Sequence, residues 1–324
     1  MFRTRVAKTL GIKFPIVGGA MMWISDAAFT ASISNAGALG ILASAMFPTR
    51  EEFENAVDQV MDLTDRPFGI NLNLFPSMRP IDNNEYLDVM IKKGVRIVET
   101  SGHAAPVELY RRFKESGMIW MHKCVGVRYA LKVQDMGADI ITVVGYENGG
   151  ATGKLDIGSL VLVPKVVESV NVPIIGGGGV CDGKSFLAML ALGAEGVIMG
   201  TRLLTTKEAP IHEKLKQALL EAKELDTILV MRSVGSTHRV WKNGAARKCC
   251  EMEEQNSTLQ ELIKIVGGEK ARKMYTDGNV DSGVISCGQC VGRCNDILTM
   301  EELFDQIMLE AQTVTRNLVR LNLQ

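Results

Sequence analysis

Two glycine-rich stretches of this 324-residue chain have the composition of a phosphate-binding site. Four glycines at 176–179 and the pair Gly200-Thr201 each follow a run of apolar residues. Because glycine has no Cβ, a ligand can approach the backbone there and bind its N–H groups. Asp182 can cap a following helix, whose N-terminus would attract an anion. We therefore predict a seat for a phosphate group at 176–179 and Gly200-Thr201, which we call the phosphate seat.

Three late cysteines could do different chemistry. They form the pattern Cys287-x-x-Cys290-x-x-x-Cys294, a spacing that a metal ion or an iron–sulfur cluster can use. A cluster usually needs a fourth ligand, and no cysteine follows Cys294. We therefore predict buried cysteines that pack a loop and no metal site, with these three as the candidate ligands should one exist.

The elements that must position these residues alternate regularly. Eight short apolar runs between residues 14 and 199 are each separated by a helical pattern, often ended by glycine. Strands that are apolar throughout are typical of a parallel sheet covered by helices on both faces. Eight consecutive strand–helix units predict an α/β fold of the (β/α)₈ TIM barrel type.

In such a barrel the carboxyl ends of the strands meet at one rim, where active sites lie. The polar and glycine-rich strand ends are therefore expected to come together there. They are residues 18–23, Asn71, residues 101–103, Lys123-Cys124, residues 147–153, the four glycines at 176–179 and Gly200-Thr201.

The rest of the chain departs from the strand–helix alternation. We expect a barrel over residues 1–204, a smaller cap subdomain inserted after strand 8 over residues 205–300, and a closing helix over 301–324 that returns to the barrel. The last segment carries apolar residues at helical spacing.

Composition narrows the class of partner. The formal net charge is −1 and no basic run occurs, which argues against nucleic acid or an anionic membrane surface. No apolar stretch approaches the length of a membrane span, and the first thirteen residues lack the apolar core of a secretory signal. We expect a cytoplasmic protein that acts on a small molecule and can form a homodimer.

In their order along the chain, these motifs resemble the FMN-dependent nitronate monooxygenases, formerly called 2-nitropropane dioxygenases. That family includes enoyl-acyl-carrier-protein reductase II and NADH:quinone reductases. The closest resemblance is to the NADH:quinone reductase branch. The matching segments include residues 63–71, His122-Lys123-Cys124, residues 147–153, the tetraglycine with Asp182-Gly183, Gly200-Thr201-Arg202 and residues 208–212, with Pro76, Pro80 and Met231-Arg232-Ser233 for the branch.

The resemblance implies FMN as the cofactor and NAD(P)H as a co-substrate. Asn71 would hydrogen-bond the flavin ring, and Lys123 would lie near its pyrimidine end. A cation there would stabilise the negative charge of the reduced ring. The other residues expected to bind the cofactor are Gly19, Ala20 and Met21 along the ring, Gly150, and Gly178, Gly179, Gly200 and Thr201 at the phosphate.

One departure from the family affects the chemistry. The family carries a histidine after its paired glycines, and this chain has Ala151 in that place. A methyl group cannot exchange a proton, so His103 and Thr152 become the candidate catalytic residues. His122 is expected to point away from Lys123 because side chains alternate along a strand. His212 and His238 lie outside the rim motifs and are interpreted as structural.

The leading hypothesis is an NAD(P)H-dependent reductase of a small acceptor, most plausibly a quinone, because quinone oxygens can take their protons from water. The alternatives are a nitronate monooxygenase, an enoyl-CoA or enoyl-acyl-carrier-protein reductase, and a flavin-binding protein whose catalysis has lapsed.

Overall fold

The computed structural model describes residues 2–75, 82–102, 104–153 and 155–321, and its centre is a barrel of parallel strands. Eight strands follow one another in the order β1-β9-β8-β6-β5-β4-β3-β2. A parallel bridge between Val17 and Leu39 joins the two ends and closes the barrel. The described strands are β1 (Ile16–Gly18), β2 (Gly40–Ala43), β3 (Phe68–Asn73), β4 (Ile97–Ser101), β5 (Ile119–Cys124), β6 (Ile140–Val144), β7 (Gly150–Ala151), β8 (Ile174–Gly177), β9 (Gly196–Met199), β10 (Thr227–Val230) and β11 (His238–Trp241). The predicted TIM barrel is confirmed.

Helices cover the outside of the barrel because one face of each is apolar. Most begin at a side-chain cap, such as Thr49 or Asp182, and several end at a glycine in the left-handed region, such as Gly94. The described helices are α1 (Arg5–Leu10), α2 (Ala27–Asn35), α3 (Arg50–Leu63), α4 (Asn83–Lys93), α5 (Tyr110–Glu115), α6 (Val127–Met136), α7 (Ser159–Val167), α8 (Gly183–Ala191), α9 (Glu213–Glu221), α10 (Gly244–Glu254), α11 (Leu259–Val266), α12 (Gly268–Asp277) and α13 (Met300–Leu321).

The core has separate layers. One hydrophobic cluster fills the barrel interior and includes Val17, Ile41 and Ile198. A larger cluster lies between the strands and the surrounding helices and contains Trp120 and Phe304. Phe304 belongs to α13, which packs against α8 and α2 and so occupies the place of the eighth outer helix.

Between β9 and α13 the chain forms α9 to α12 and the strands β10 and β11. These two strands pair antiparallel, and β11 also pairs antiparallel with β7. Since β7 lies in the connection that follows β6, the small sheet β10-β11-β7 joins the segment 205–300 to the barrel rim. The sequence did not predict this sheet, because the two residues of β7 have no strand pattern of their own.

Candidate functional site

The phosphate seat is formed by backbone that only glycine adopts without strain. Gly176 and Gly177 belong to β8, and the chain turns at Gly178 and Gly179, whose φ angles are 97° and 78°. Among the described residues, the amides of Gly178, Gly179 and Gly200 donate no hydrogen bond to another part of the chain. A Cβ built on Gly179 would meet its nearest atom only at 4.0 Å. The turn therefore leaves both space and backbone donors for a ligand.

The end of β9 lies next to the segment that follows β1, as the contact between Gly200 and Met21 shows. A Cβ on Gly200 would lie 3.7 Å from the sulfur of Met21. The amide of Gly19 donates to the carbonyl of Met199 at 2.8 Å, and the amide of Met21 donates to the Ser25 hydroxyl at 2.9 Å. The predicted residues 19–21 thus line the same part of the rim as Gly200.

The N-terminus of α8, predicted to attract the phosphate, already holds the chain's own carboxyl groups. The amide of Gly183 donates to Glu310 of α13 at 2.7 Å, and Asp182 caps the helix through the amide of Ser185 at 2.8 Å. Asp182 also forms an ion pair with Arg293. Asp182 caps α8 as predicted. Because the amides of Gly183 and Ser185 already bind these carboxyl groups, the attraction of a phosphate by this helix end stays a prediction, and the amides of the glycine turn are the donors that the structure leaves for it.

A second contact ties the seat to the cysteine-containing loop. The Thr201 hydroxyl accepts a hydrogen bond from the amide of Gly288 at 2.8 Å. The amide of Gln289 donates to the carbonyl of Glu147 at 3.0 Å, and the Glu147 side chain accepts from the amide of Ser159 at 3.0 Å. The rim connection 145–153 is therefore held from two sides next to the phosphate seat.

At the other side of the rim, Asn71, Glu99 and Lys123 form a buried polar cluster. The Asn71 amide donates to Glu99 Oε2 at 2.6 Å and to the Ser101 hydroxyl at 3.2 Å. Lys123 Nζ lies 3.9 Å from Glu99 Oε2. Glu99 is 0% exposed, and its Oε1 has no hydrogen-bond partner within the described ranges. The sequence interpretation missed Glu99, although a glutamate inside an apolar strand pattern was a usable signal.

Both N–H groups of the Asn71 side-chain amide are engaged, so the side-chain oxygen Oδ1 is the atom left to interact with a ligand. An ionised carboxyl oxygen only accepts hydrogen bonds, so the NH₂ group of the Asn71 side chain, and not its oxygen, faces Glu99. Asn71 can therefore accept a hydrogen bond from a ring N–H, and Lys123 can place a positive charge beside the same ring.

The connection that carries Ala151 lies over the end of β5. A Cβ built on Gly153 would collide with Val125 at 2.7 Å, which places this turn directly after Lys123 and Cys124. Thr152, a predicted catalytic residue, is buried, and its hydroxyl donates to the carbonyl of Gly153 at 3.4 Å. His103, the other predicted catalytic residue, lies outside the described residues.

His238 was interpreted as a structural residue outside the rim motifs, and the structure brings it next to one of these motifs. In the antiparallel register, His238 of β11 stands directly opposite Ala151 of β7. His212 is different, because its ring caps α9 by accepting from the amide of Lys214 at 3.1 Å. Local sequence carried no sign of the His238 position, since the pairing joins residues far apart in the chain.

His122 points away from Lys123, in agreement with strand alternation. Trp120 Nε1 donates to the Thr100 hydroxyl at 2.8 Å, and that hydroxyl lies 2.8 Å from His122 Nδ1. Burial, together with the nearby Lys123, lowers the pKa of His122 to about 4. The ring is therefore neutral near pH 7 and is a structural group on the outer side of β5.

The cysteines lie beneath the phosphate seat. Cys290 and Cys294 pack with Cys181 in a buried cluster, and burial raises the pKa of Cys294 to about 12. Cys287 is buried in the larger core. Within the part of the chain that the structure describes, no group of three His, Cys, Asp or Glu residues is arranged to hold a metal ion. None of the described helices is long and apolar enough to cross a bilayer.

Comparison with known proteins relates this arrangement to one family. A model of the nitronate monooxygenase family matches residues 3–310. The chain is 30% identical to a (3aS,4S,5R,7aS)-5-hydroxy-7a-methyl-1-oxo-octahydro-1H-indene-4-carboxyl-CoA dehydrogenase of Rhodococcus jostii (strain RHA1), over 95% of this chain and 96% of that protein.

Two solved structures are similar over nearly the whole length. FabK from Thermotoga maritima superposes with a TM-score of 0.91 at 31% identity, covering 98% of this chain and 99% of that chain. A nitroalkane oxidase from Streptomyces ansochromogenes superposes with a TM-score of 0.84, covering 97% of this chain and 99% of that chain. At 21% identity, the second match shows a common fold.

Proposed function

The chain belongs to the nitronate monooxygenase family of FMN-dependent oxidoreductases, and on this basis we propose that it is an NAD(P)H-dependent reductase of a small organic acceptor. The observation that carries the proposal is the cluster of Asn71, Glu99 and Lys123 at the rim opposite the phosphate seat. One end of the site binds a phosphate, and the other end binds a ring and favours negative charge on it.

The residues present fit FMN. Gly179 keeps open the space that a Cβ would fill, and the amides of Gly178 and Gly179 donate to no other described residue. Asn71 offers a side-chain carbonyl acceptor at one end of the site, and Met21 lies close to Gly200 at the other end. FMN, when bound, supplies the capacity to accept a hydride from one molecule and deliver electrons to another.

The chain's own contribution is binding and electrostatics. Lys123 places a cation where the ring gains negative charge, and the buried Glu99 orients the Asn71 amide. With a methyl group at position 151, neither hydride uptake nor delivery to a quinone depends on an imidazole from that strand. A quinone is therefore the first acceptor that we propose.

A second candidate acceptor is an acyl-CoA thioester. It is favoured by the Rhodococcus jostii relative, whose name specifies a carboxyl-CoA substrate and which matches almost the whole chain. Reduction of an enoyl thioester differs from quinone reduction because a carbon atom must receive a proton, which water supplies slowly without a positioned acid.

The test is an absorbance titration of the purified holoprotein without oxygen, with NADH and then NADPH. We expect either nucleotide to bleach the flavin within seconds. The bleached protein is then mixed with 1,4-benzoquinone or crotonyl-CoA, and the acceptor that restores the flavin colour faster is identified, whereas propyl-2-nitronate is added to a separate sample of the oxidised holoprotein. A flavin that neither nucleotide bleaches, but that the nitronate reduces directly, would refute the reductase and favour a nitronate monooxygenase.

Removing the charge of Lys123 tests whether the rate of flavin bleaching depends on the candidate site. Lys123→Met should slow bleaching by NADH, whereas Lys132→Met, which removes an exposed lysine of α6, should not. Equal rates in the two variants would contradict the role of Lys123.

A further inference from the structure

Trp23 occupies a backbone position that ordinarily belongs to glycine. Residues 21–24 form a β-turn, in which the amide of Ile24 donates to the carbonyl of Met21 at 3.1 Å. Trp23 is the third residue of this turn, and its φ of 65° lies in the left-handed region. A positive φ at that position favours glycine, because a Cβ is crowded there. The strained tryptophan therefore calls for a reason outside the turn itself.

The indole of Trp23 packs on the beginning of α12. The Arg272 guanidinium lies 4.7 Å from the centroid of the Trp23 ring, within the range of a cation–π interaction. A Cβ built on Gly268, the first residue of α12, would lie 3.0 Å from Trp23 Nε1. Trp23 Nε1 is buried and has no hydrogen-bond partner in the described part of the chain. The indole is therefore a packing group between the barrel rim and α12, and its N–H makes no polar contact there.

The helix on which the indole packs is itself firmly anchored. Ala271, Met274 and Tyr275 of α12 are buried in the larger core cluster. The carbonyl of Tyr275 also accepts a hydrogen bond from the amide of His212 at 2.8 Å. α12 thus provides a fixed support, and the contacts of the indole with it offset the cost of the positive φ at Trp23.

The same turn determines the position of residues predicted to lie along the flavin ring. The amide of Met21 donates to the Ser25 hydroxyl at 2.9 Å, and the amide of Ser25 donates to the carbonyl of Met21 at 2.9 Å. The Ser25 hydroxyl also donates to the carbonyl of Gly19 at 3.4 Å. Because Trp23 lies between Met21 and Ser25 in the chain, a change in its backbone conformation would move Met21 and break these bonds.

From these contacts we propose that Trp23 is a positioning residue that preorganises the turn 21–24 for the flavin ring. α12 holds the indole, and the indole holds the backbone of the turn in the conformation that places Met21 beside Gly200. A ligand that meets an ordered turn does not have to order it on binding, which strengthens its affinity. The proposal goes beyond the reductase function, since it requires that the chain binds FMN and makes no use of NAD(P)H or of an acceptor.

Replacement of Trp23 by glycine separates the indole from the turn conformation. Glycine adopts a φ of 65° without strain, so a role of the turn conformation alone predicts that Trp23→Gly binds FMN at least as well as wild type. Our proposal predicts the reverse. We expect the dissociation constant for FMN to rise about tenfold, because the competent turn is then populated in about one apoprotein molecule in ten.

Conservative variants identify the contact that matters. Trp23→Phe keeps a ring on α12 and removes only the unpartnered N–H, so its dissociation constant should stay within about threefold of wild type. Arg272→Met removes the cation over the ring and should raise the constant about threefold. Arg128→Met is the matched control, because Arg128 of α6 also lies over an aromatic ring, 5.3 Å from the Tyr129 centroid, and should leave FMN binding unchanged.

Hydrogen exchange gives a readout that does not depend on activity. The amides of Ile24 and Ser25, both bonded to the Met21 carbonyl, should be protected in the wild-type apoprotein. They should lose nearly all protection in the Trp23→Gly apoprotein and regain it when FMN is added, because the bound ring orders the turn. Denaturant unfolding of the same apoproteins shows whether the loss is confined to the turn, as we expect.

The outcomes distinguish this inference from the proposed function. A Trp23→Gly protein with wild-type FMN affinity and protected Ile24 and Ser25 amides would overturn the role of Trp23. A Trp23→Phe protein that binds FMN as weakly as Trp23→Gly would also overturn it, since packing on α12 would then not be the cause. A wild type that binds FMN but is not bleached by NADH would refute the reductase and leave the role of Trp23 standing.

Discussion

The amide nitrogen of Asn71 lies 2.6 Å from one oxygen of the Glu99 carboxyl group, whose other oxygen has no hydrogen-bond partner in the described part of the chain. Burying a carboxyl group with one oxygen unpaired costs folding free energy, so a group retained in this state calls for an explanation such as a role in the site. Here it orients an amide and faces Lys123 at 3.9 Å. The pair explains how a short polar side chain inside a barrel is held ready for a ligand.

Removal of the Glu99 carboxyl group should therefore weaken cofactor binding through Asn71. We expect Glu99→Ala to raise the dissociation constant for FMN about tenfold, about 1.4 kcal/mol, because the Asn71 amide loses its acceptor and rotates. Glu99→Gln keeps an acceptor of the same shape and should stay within about threefold of wild type. Fluorescence titration of the apoprotein with FMN measures both, and equal losses in the two variants would contradict the orienting role.

Lys123 should tune the reduction potential of the bound flavin. Lys123→Met removes a positive charge that lies beside the negative charge of the reduced ring, so the midpoint potential should fall by about 30 mV, equivalent to about 1.4 kcal/mol for two electrons. Lys123→Arg keeps the charge and should shift it much less. Dye-equilibrated reduction of the holoprotein gives the values, and a potential that does not change in Lys123→Met would refute the placement of this residue.

The role of Gly179 in binding the FMN phosphate can be tested with Gly94 as a control, because both glycines have a similar positive φ. Gly179→Ala and Gly94→Ala both force alanine into the left-handed region, at φ 78° and 71°, which costs about 1–2 kcal/mol of stability each. Only Gly179 lies at the phosphate seat, so only Gly179→Ala should also weaken FMN binding. Equal FMN affinity in the two variants would show that the cofactor phosphate lies elsewhere.

The buried His122 predicts a loss of stability in mild acid. Burial lowers its pKa from 6.5 to about 4, so the unfolded chain binds a proton more readily than the folded chain between those values. The contribution of His122 is fully present above pH 6.5 and is lost as the pH falls toward 4. The contribution lost by pH 4 is on the order of 3 kcal/mol.

Denaturant unfolding at pH 7 and pH 4.5 measures this dependence. His122→Gln has no titrating ring, so its free energy of unfolding should fall less between the two pH values than that of wild type. Parallel losses in both proteins would mean that carboxyl groups, not His122, account for the acid sensitivity.

Much of the molecule could be predicted from short-range patterns. Apolar strands that alternate with capped helices indicate a TIM barrel, because periodicity and caps are local properties of the chain. The glycines at 178–179 and Gly200 were identified because each directly follows a buried strand. The family resemblance rested on the same local motifs, and the comparisons confirm it.

What the sequence could not decide depends on contacts between distant residues. Nothing near Gly183 indicates that Glu310, 127 positions later, fills the N-terminus of α8. Nothing near His238 indicates that it pairs with Ala151, because β7 has only two residues and gains its strand conformation from β11. The sequence by itself determined the barrel and the glycine turns, since local conformation is encoded locally. Only the tertiary structure decided which carboxyl groups, amides and imidazoles lie in contact at the rim, because these contacts join elements that are distant in the sequence.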